Sequence, residues 1–313
     1  MLNLKTKLIN FLDRLLKKND AHKKFMLGSV YFNEARKNYN KFKNLKEAEY
    51  KVFSQTGEDG IIDFIQNKLG IYNCKFVEIG VGDYSEANTR FIYEKSFSEG
   101  LIIDVIDNLK KKVSKNINLW KGLLNVENTK IDIENINSVL KKYNLNKKLD
   151  LFSIDIDGND YWIIDKLSNN ISKIFILEYN PTFGHNLEIT VPYDKDFSRF
   201  KEHYSGCYYG ASLKAMIKLM NSKGYDFIGT NNLNFNAFFV QKDLSENFSE
   251  IMNNVNDLSQ YTKLHIRDSR NNKGELDYLD RKQRLEVIED KEVVEVSKLT
   301  HRKYKIKDLI SSI

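Results

Sequence analysis

Only two cysteines and two prolines occur in the 313 residues. Cys74 and Cys207 lie too far apart in sequence for a paired metal or redox motif, so both are expected to be free thiols in a reducing compartment. No apolar run is long enough to cross a bilayer, and the opening MLNLKTKLINFLDRLLKK is interrupted by Lys5, Lys7, Asp13 and Arg14 before a signal-peptide core can form. A soluble, cytoplasmic protein is therefore expected. No internal repeat is found, and the few prolines beside abundant Lys, Asn and Ile read as compositional bias. No basic stripe interleaved with aromatics is present, which argues against a nucleic-acid partner.

With 41% hydrophobic residues the chain can bury a full-sized core, as one large domain with extensions or as two small ones. The formal net charge is +6 and the pI about 8.9, but much of the lysine sits in the first fifty residues instead of in a site-like cluster.

Three regions follow from the grain of the sequence. Residues 1–50 read as helical, with Leu4, Leu8, Phe11, Leu12 and Leu15 at helical spacing and Lys5, Lys7, Arg14, Lys17 and Lys18 on other faces. Two readings stay open for this helix. It packs on the main domain or a second subunit, or residues 1–19 lie peripherally on the inner face of an anionic membrane. Residues 51–244 alternate helices with short apolar strands. SQTGEDGIIDFIQNKLG predicts a helix capped by Ser54 or Thr56 and stopped by Gly70. KFVEIG, GLIID, LDLFSIDID and SKIFILEYN each end in an acidic or polar residue, as strands buried on both faces of a parallel sheet do. SLKAMIKLMNSKGYDFIGT and NNLNFNAFFVQ then close the series with a helix and a hairpin. The expectation is a doubly wound, mostly parallel α/β sheet ending in an antiparallel hairpin, the signature of the S-adenosylmethionine-dependent methyltransferase sheet. Residues 245–313 read as a charged C-terminal extension.

In such sheets ligands sit beyond the carboxyl ends of the strands. In FVEIGVGDYSEANTR, Gly80 and Gly82 let the backbone turn sharply and approach a ligand, while Glu78 and Asp83 make the rim acidic. The dinucleotide fingerprint would need a third small residue where Ser85 stands, with no glycine near it, and an acidic loop repels pyrophosphate. It suits the cationic amino and sulfonium groups of S-adenosylmethionine. Asp104, at the end of the next strand, stands about twenty residues on, where an acid holds ribose hydroxyls. Asp107 is the fallback. SIDIDGNDYW brings Asp155, Asp157 and Asp160 around Gly158. It is not an EF-hand, because the glycine is misplaced and the twelfth position is Lys166. These acids suit a hard divalent ion such as magnesium, a general base, or an Asx-type turn that solvates its own acids. After the fifth strand, Glu178, Asn180 and His185 face the same rim. Asn180-Pro181-Thr182-Phe183 lacks the second proline of base amino-methyltransferases and stands one strand too late.

FSQTGEDGIIDFI, FVEIGVGDYSEANTR, LFSIDIDGNDYW and EYNPTFG…TVPYD, followed by YYGASLKAMIKL and GTNNLNFNAFFV, resemble the FkbM-related methyltransferases of bacterial surface-polysaccharide gene clusters. The resemblance runs from about Val52 to Val240 and extends to HIRDSR at 265–270. It implies a class I methyltransferase fold, S-adenosylmethionine as donor and a sugar hydroxyl of capsule or lipopolysaccharide, nucleotide- or lipid-linked, as acceptor. It carries cofactor binding onto Glu78, Gly80, Gly82 and Asp104 and places Ser54 and Gln55 near the cofactor; Asp83 and Asp155 are further cofactor-binding candidates. Asp157 is the first choice for base or metal ligand and His185 the second choice for base. Glu178 and Asn180 would complete a magnesium site by analogy with related sugar O-methyltransferases, and Tyr208 and Tyr209 would shape the acceptor pocket. The alternatives are a nicotinamide-dependent sugar oxidoreductase and a non-catalytic scaffold of polysaccharide assembly. Self-association is a further expectation.

Overall fold

The long N-terminal helix α1 (Leu2–Arg36) is held by one of its faces. Ala21, Phe25, Gly28 and Phe32, spaced i, i+4, i+7 and i+11, fall on one side. Ala21, Phe25 and Phe32 pack against buried Val52, Phe53 and Phe91. Gly28 permits the approach, since a Cβ there would lie 2.6 Å from a Val52 methyl. The computed structural model describes residues 2–96, 98–255, 257–264, 268–297 and 301–310, without the side chains of 2–15, 17 and 18. The side chains named above between Leu4 and Lys18, and positions 265–267 of HIRDSR, lie outside the described residues.

Contacts divide the chain into two units, Met1–Phe42 with Glu47–Lys130, and Lys43–Lys46 with Ile131–Ile313. In the first, α2 (Glu58–Lys68), β1 (Lys75–Ile79), α3 (Arg90–Lys95), β2 (Glu99–Asp104), α4 (Leu109–Asn116) and β3 (Leu123–Asn128) alternate. β1 pairs parallel with β2, and β2 with β3. Neither Ser54 nor Thr56 stands at the cap position of α2. Gly57 occupies the cap position, and the preceding loop is gathered by Asp59, whose Oδ2 accepts from the backbone of Val52, Phe53 and Ser54 and from Ser54 Oγ. Asp59 N donates in return to Ser54 Oγ at 3.2 Å, so the serine hydroxyl takes up a first-turn helix N–H from three residues before the cap position.

Asp63 of α2 ties the three helices together. Its buried carboxylate accepts from Arg36 of α1 at 3.0 Å, from Lys95 of α3 at 2.6 Å, and from the Tyr39 hydroxyl. Removing one partner of a buried ion pair leaves the others without compensation and costs about 3 kcal/mol or more. Asp63→Asn should accordingly lower the urea midpoint of the protein, whereas Glu34→Gln, at an exposed pair with Lys37, should leave it near wild type.

In the second unit, α5 (Ile136–Lys142), β4 (Leu149–Ile154), α6 (Asp160–Lys166) and β5 (Ser172–Glu178) continue the alternation. They are followed by β6 (Ile189–Thr190), the single turn α7 (Arg199–Glu202), α8 (Leu213–Ser222), β7 (Tyr225–Thr230) and β8 (Asn236–Gln241). β4 and β5 are parallel, β8 is antiparallel to β5, and β7 antiparallel to β8. The order in the seven-stranded sheet is β3-β2-β1-β4-β5-β8-β7. This is the expected fold class, a mostly parallel Rossmann-like sheet finished by an antiparallel hairpin.

Residues beyond 244 are less of an appendage than their composition suggests. β9 (Glu292–Glu295) and β10 (Lys303–Lys305) join β6 in a three-stranded sheet. Leu285, Ile288, Val293 and Ile306 share a core with Phe183, Ile189, Val191, Cys207 and Tyr208. Among the described residues no helix is long and apolar enough to cross a membrane.

Candidate functional site

In the first unit the glycine turn and the acid of β2 meet. Gly80 and Gly82 both have positive φ, 86° and 56°, and the Gly82 N–H donates to Asp104 Oδ2 at 2.8 Å. The other Asp104 oxygen accepts from Ile106 N at 3.0 Å, so the carboxylate is fixed at the carboxyl end of β2. A Cβ built on Gly82 would meet nothing within 4 Å. The glycine there is required by its left-handed backbone, not by crowding from the protein, and the space beside it is open. Asp83 turns the chain onward, its Oδ1 accepting from Ser85 N and its carbonyl from the Asn116 amide.

Glu78 closes the same rim from within. One oxygen accepts from Asn88 N and the other from Thr89 N and Thr89 Oγ1, so the last acid of β1 organises the start of α3. Burial raises its pKa. The segment carrying Ser54 and Gln55 runs beside this loop, because Ala87 N donates to Phe53 O at 3.0 Å and the Arg90 guanidinium lies 4.0 Å over the Phe53 ring. Ser54 is fully buried and reciprocally bonded to Asp59, while Gln55 is exposed. Asp59, in the first turn of α2, is buried with Oδ1 unpartnered, and burial pushes its pKa up to about 6.

In the second unit the loop after β4 is clamped by Asp160. Its two oxygens accept from Ile156 N and Gly158 N, both at 3.1 Å, and hold Asp157 in a left-handed conformation at φ 59°. Ligand atoms of Asp155, Asp157 and Glu178 lie within 4.8 Å of one another, an arrangement that could hold a metal ion. Asp155, assigned from the sequence to the cofactor, thus stands in the acidic group. Asn180 is turned elsewhere. Its oxygen accepts from Thr182 N, and its amide donates to the carbonyls of Cys207 and Tyr209.

Sequence reasoning missed Arg199. From α7 it donates through Nη1 to Asp157 Oδ1 at 2.9 Å and through Nε to Gly206 O, and its guanidinium stacks 3.9 Å over the Tyr209 ring. The pair is 42 residues apart in sequence, and no local spacing announces it. Tyr209 therefore supports the arginine that holds Asp157. Tyr208 is a core residue whose hydroxyl donates to Glu292 O. His185 Nδ1 lies 3.3 Å from Thr262 Oγ1, and no hydrogen bond joins it to one of the three acids.

Burial, and secondly the Glu178 carboxylate, push the Asp160 pKa up to about 7. The folded chain keeps a proton that the unfolded chain gives up near pH 4, so stability from this group is greatest below that pH and falls as pH rises to about 7. Asp59 acts in the same direction. The thermal midpoint should fall from about pH 4 to about pH 7. Asp160→Asn should flatten that slope.

No protein-family model matches the sequence, and the search of curated proteins finds no match. Solved structures similar to this one include the N-terminal domain of EvdMO1, crystallised in the presence of SAH and D-fucose. It is 9% identical over 56% of this chain and 81% of that one, with a TM-score of 0.36. A putative RNA methyltransferase from Pyrococcus horikoshii is 12% identical over 68% and 98%, with a TM-score of 0.35. PKMT2 from Rickettsia typhi, in complex with AdoHcy, is 11% identical over 57% and 52%, with a TM-score of 0.34. At such identities and scores nothing about activity or substrate follows for this chain, and its own strand order and site geometry carry the reading.

Proposed function

We propose that the protein is an S-adenosylmethionine-dependent O-methyltransferase acting on a hydroxyl of a nucleotide- or lipid-linked sugar in capsule or lipopolysaccharide assembly, as an FkbM-related enzyme would. The observation that carries the donor is the junction of Gly82 with Asp104. An acid fixed at the end of β2 accepts from ribose hydroxyls, and the open side of the glycine turn leaves room for a cationic methionine end. A nicotinamide dinucleotide fits worse, since the acidic rim opposes pyrophosphate and no third glycine seats a helix against it.

A sugar hydroxyl is a poor nucleophile until its proton is removed. Asp157 is the acid assigned to that task, with Arg199 and Asp160 fixing its position. The donor set also fits a hard divalent ion, since three carboxylates come together. Asp155, Asp157 and Glu178 would hold it, and it would supply orientation and acidification of the acceptor hydroxyls. The sugar acceptor rests on the sequence resemblance alone.

Calorimetric titration with S-adenosylmethionine, with NAD in a parallel run, tests the donor. Saturable binding of the first and none of the second is expected, and binding of NAD alone would overturn the reading. Donor binding without turnover on any sugar nucleotide would favour the scaffold alternative.

A further inference from the structure

Helix α1 has a second apolar face. Leu27, Val30 and Tyr31 are spaced i, i+3 and i+4, Met26 precedes Val30 by four residues, and Leu16 lies three turns before Leu27 on the same side. All five are exposed, Leu16 at 68% and Val30 at 66%. They lie roughly opposite Ala21, Phe25, Gly28 and Phe32, the side already committed to Val52, Phe53 and Phe91. Tyr31 is partly occupied by stacking on Tyr50.

The charge of the same helix is one-sided in sign. By sequence it carries eight basic and three acidic residues, which is five of the chain's net +6. Two of the three acids are neutralised locally, Asp20 by Lys24 at 3.3 Å and Glu34 by Lys37 at 2.7 Å. Asp20 and Glu34 fall within the apolar stripe, each paired with its lysine, and so does Lys23, whose stem can lie along the surface while the ammonium reaches outward. An apolar face on a cationic helix complements a surface that is both greasy and anionic. A second copy of the same helix would bring like charge against like.

We propose that α1 seats the protein on a bilayer containing anionic lipid, with Leu16, Met26, Leu27 and Val30 in the interface and Lys23 and Lys24 at headgroup level. The seat is independent of methyl transfer and needs no cofactor. The test is co-sedimentation of the full chain with vesicles of pure phosphatidylcholine and of phosphatidylcholine mixed with phosphatidylglycerol. Binding to the mixed vesicles at least about tenfold tighter than to the neutral ones, and weakened by salt, is expected. Leu27→Glu combined with Val30→Glu should lower it about tenfold or more, as should Lys23→Glu with Lys24→Glu. Tyr72→Glu, at an exposed aromatic outside α1, should leave it unchanged. Circular dichroism of each variant establishes that the fold is kept. Equal binding to both vesicles, or none to either, overturns the proposal. So does a dimer in sedimentation equilibrium that the Leu27/Val30 variant dissolves while vesicle binding is absent, since a second copy would then cover the face.

Discussion

Asp104→Ala should abolish measurable binding of S-adenosylmethionine. Hydrogen bonds to a charged acceptor contribute about 1.5–3 kcal/mol each, so if the carboxylate receives two ribose hydroxyls, as proposed, its loss weakens the complex by about two orders of magnitude or more. The side chain also fixes the glycine turn through Gly82 N and its own β2 exit through Ile106 N. Asp104→Asn separates the two roles. It retains an acceptor for one of these N–H groups while removing the charge, and its affinity should fall between wild type and alanine. Wild-type affinity in Asp104→Ala would remove this acid from the donor site.

Asp157→Asn should lower turnover by about a thousandfold, within the span that a positioned general base contributes, and leave donor affinity within a factor of about two. A metal role and a base role differ in one readout. If turnover of the wild type survives a chelator, Asp157 acts on the proton directly. If the chelator abolishes it and magnesium restores it, the acid works as a ligand. Arg199→Lys keeps a positive charge but not the two-pronged grip on Asp157 and Gly206, and should lower turnover less than Asp157→Asn does. Normal turnover in Asp157→Asn would take this residue out of the mechanism.

Much of the fold could be read from periodicity. The apolar runs became β1, β2, β4 and β5, Gly70 ends α2 at φ 64°, and the β7–β8 hairpin closes the sheet as expected. Those features depend on neighbours in sequence, where spacing is informative. The start of α2 shows the limit: Ser54 takes up a first-turn N–H from outside the cap position, and Asp59 gathers backbone groups from five to seven residues upstream, a geometry that no cap consensus describes. The acid group was half legible. Asp155, Asp157 and Glu178 stand at strand ends that the apolar runs announce, whereas the Asn180 amide is committed to the carbonyls of Cys207 and Tyr209, 27 and 29 residues on. Arg199 on Asp157, and the C-terminal segment in the core with Phe183 and Ile189, are pairings across long stretches of chain that one sequence does not display.

Both native thiols are sealed in the interior, Cys74 at 1% exposure and Cys207 at none. Maleimides and nitroxide reagents should therefore find no target on the folded protein, and reactivity should emerge only on unfolding. A cysteine introduced on an exposed position, such as Leu27→Cys, would be the one site taking up label, without any background-cysteine deletion. The wild-type chain is in this sense already prepared for spectroscopic work. The proposed seating of α1 on lipid can be followed with one probe, while the two silent thiols serve as an internal gauge of whether the molecule stayed folded during labelling.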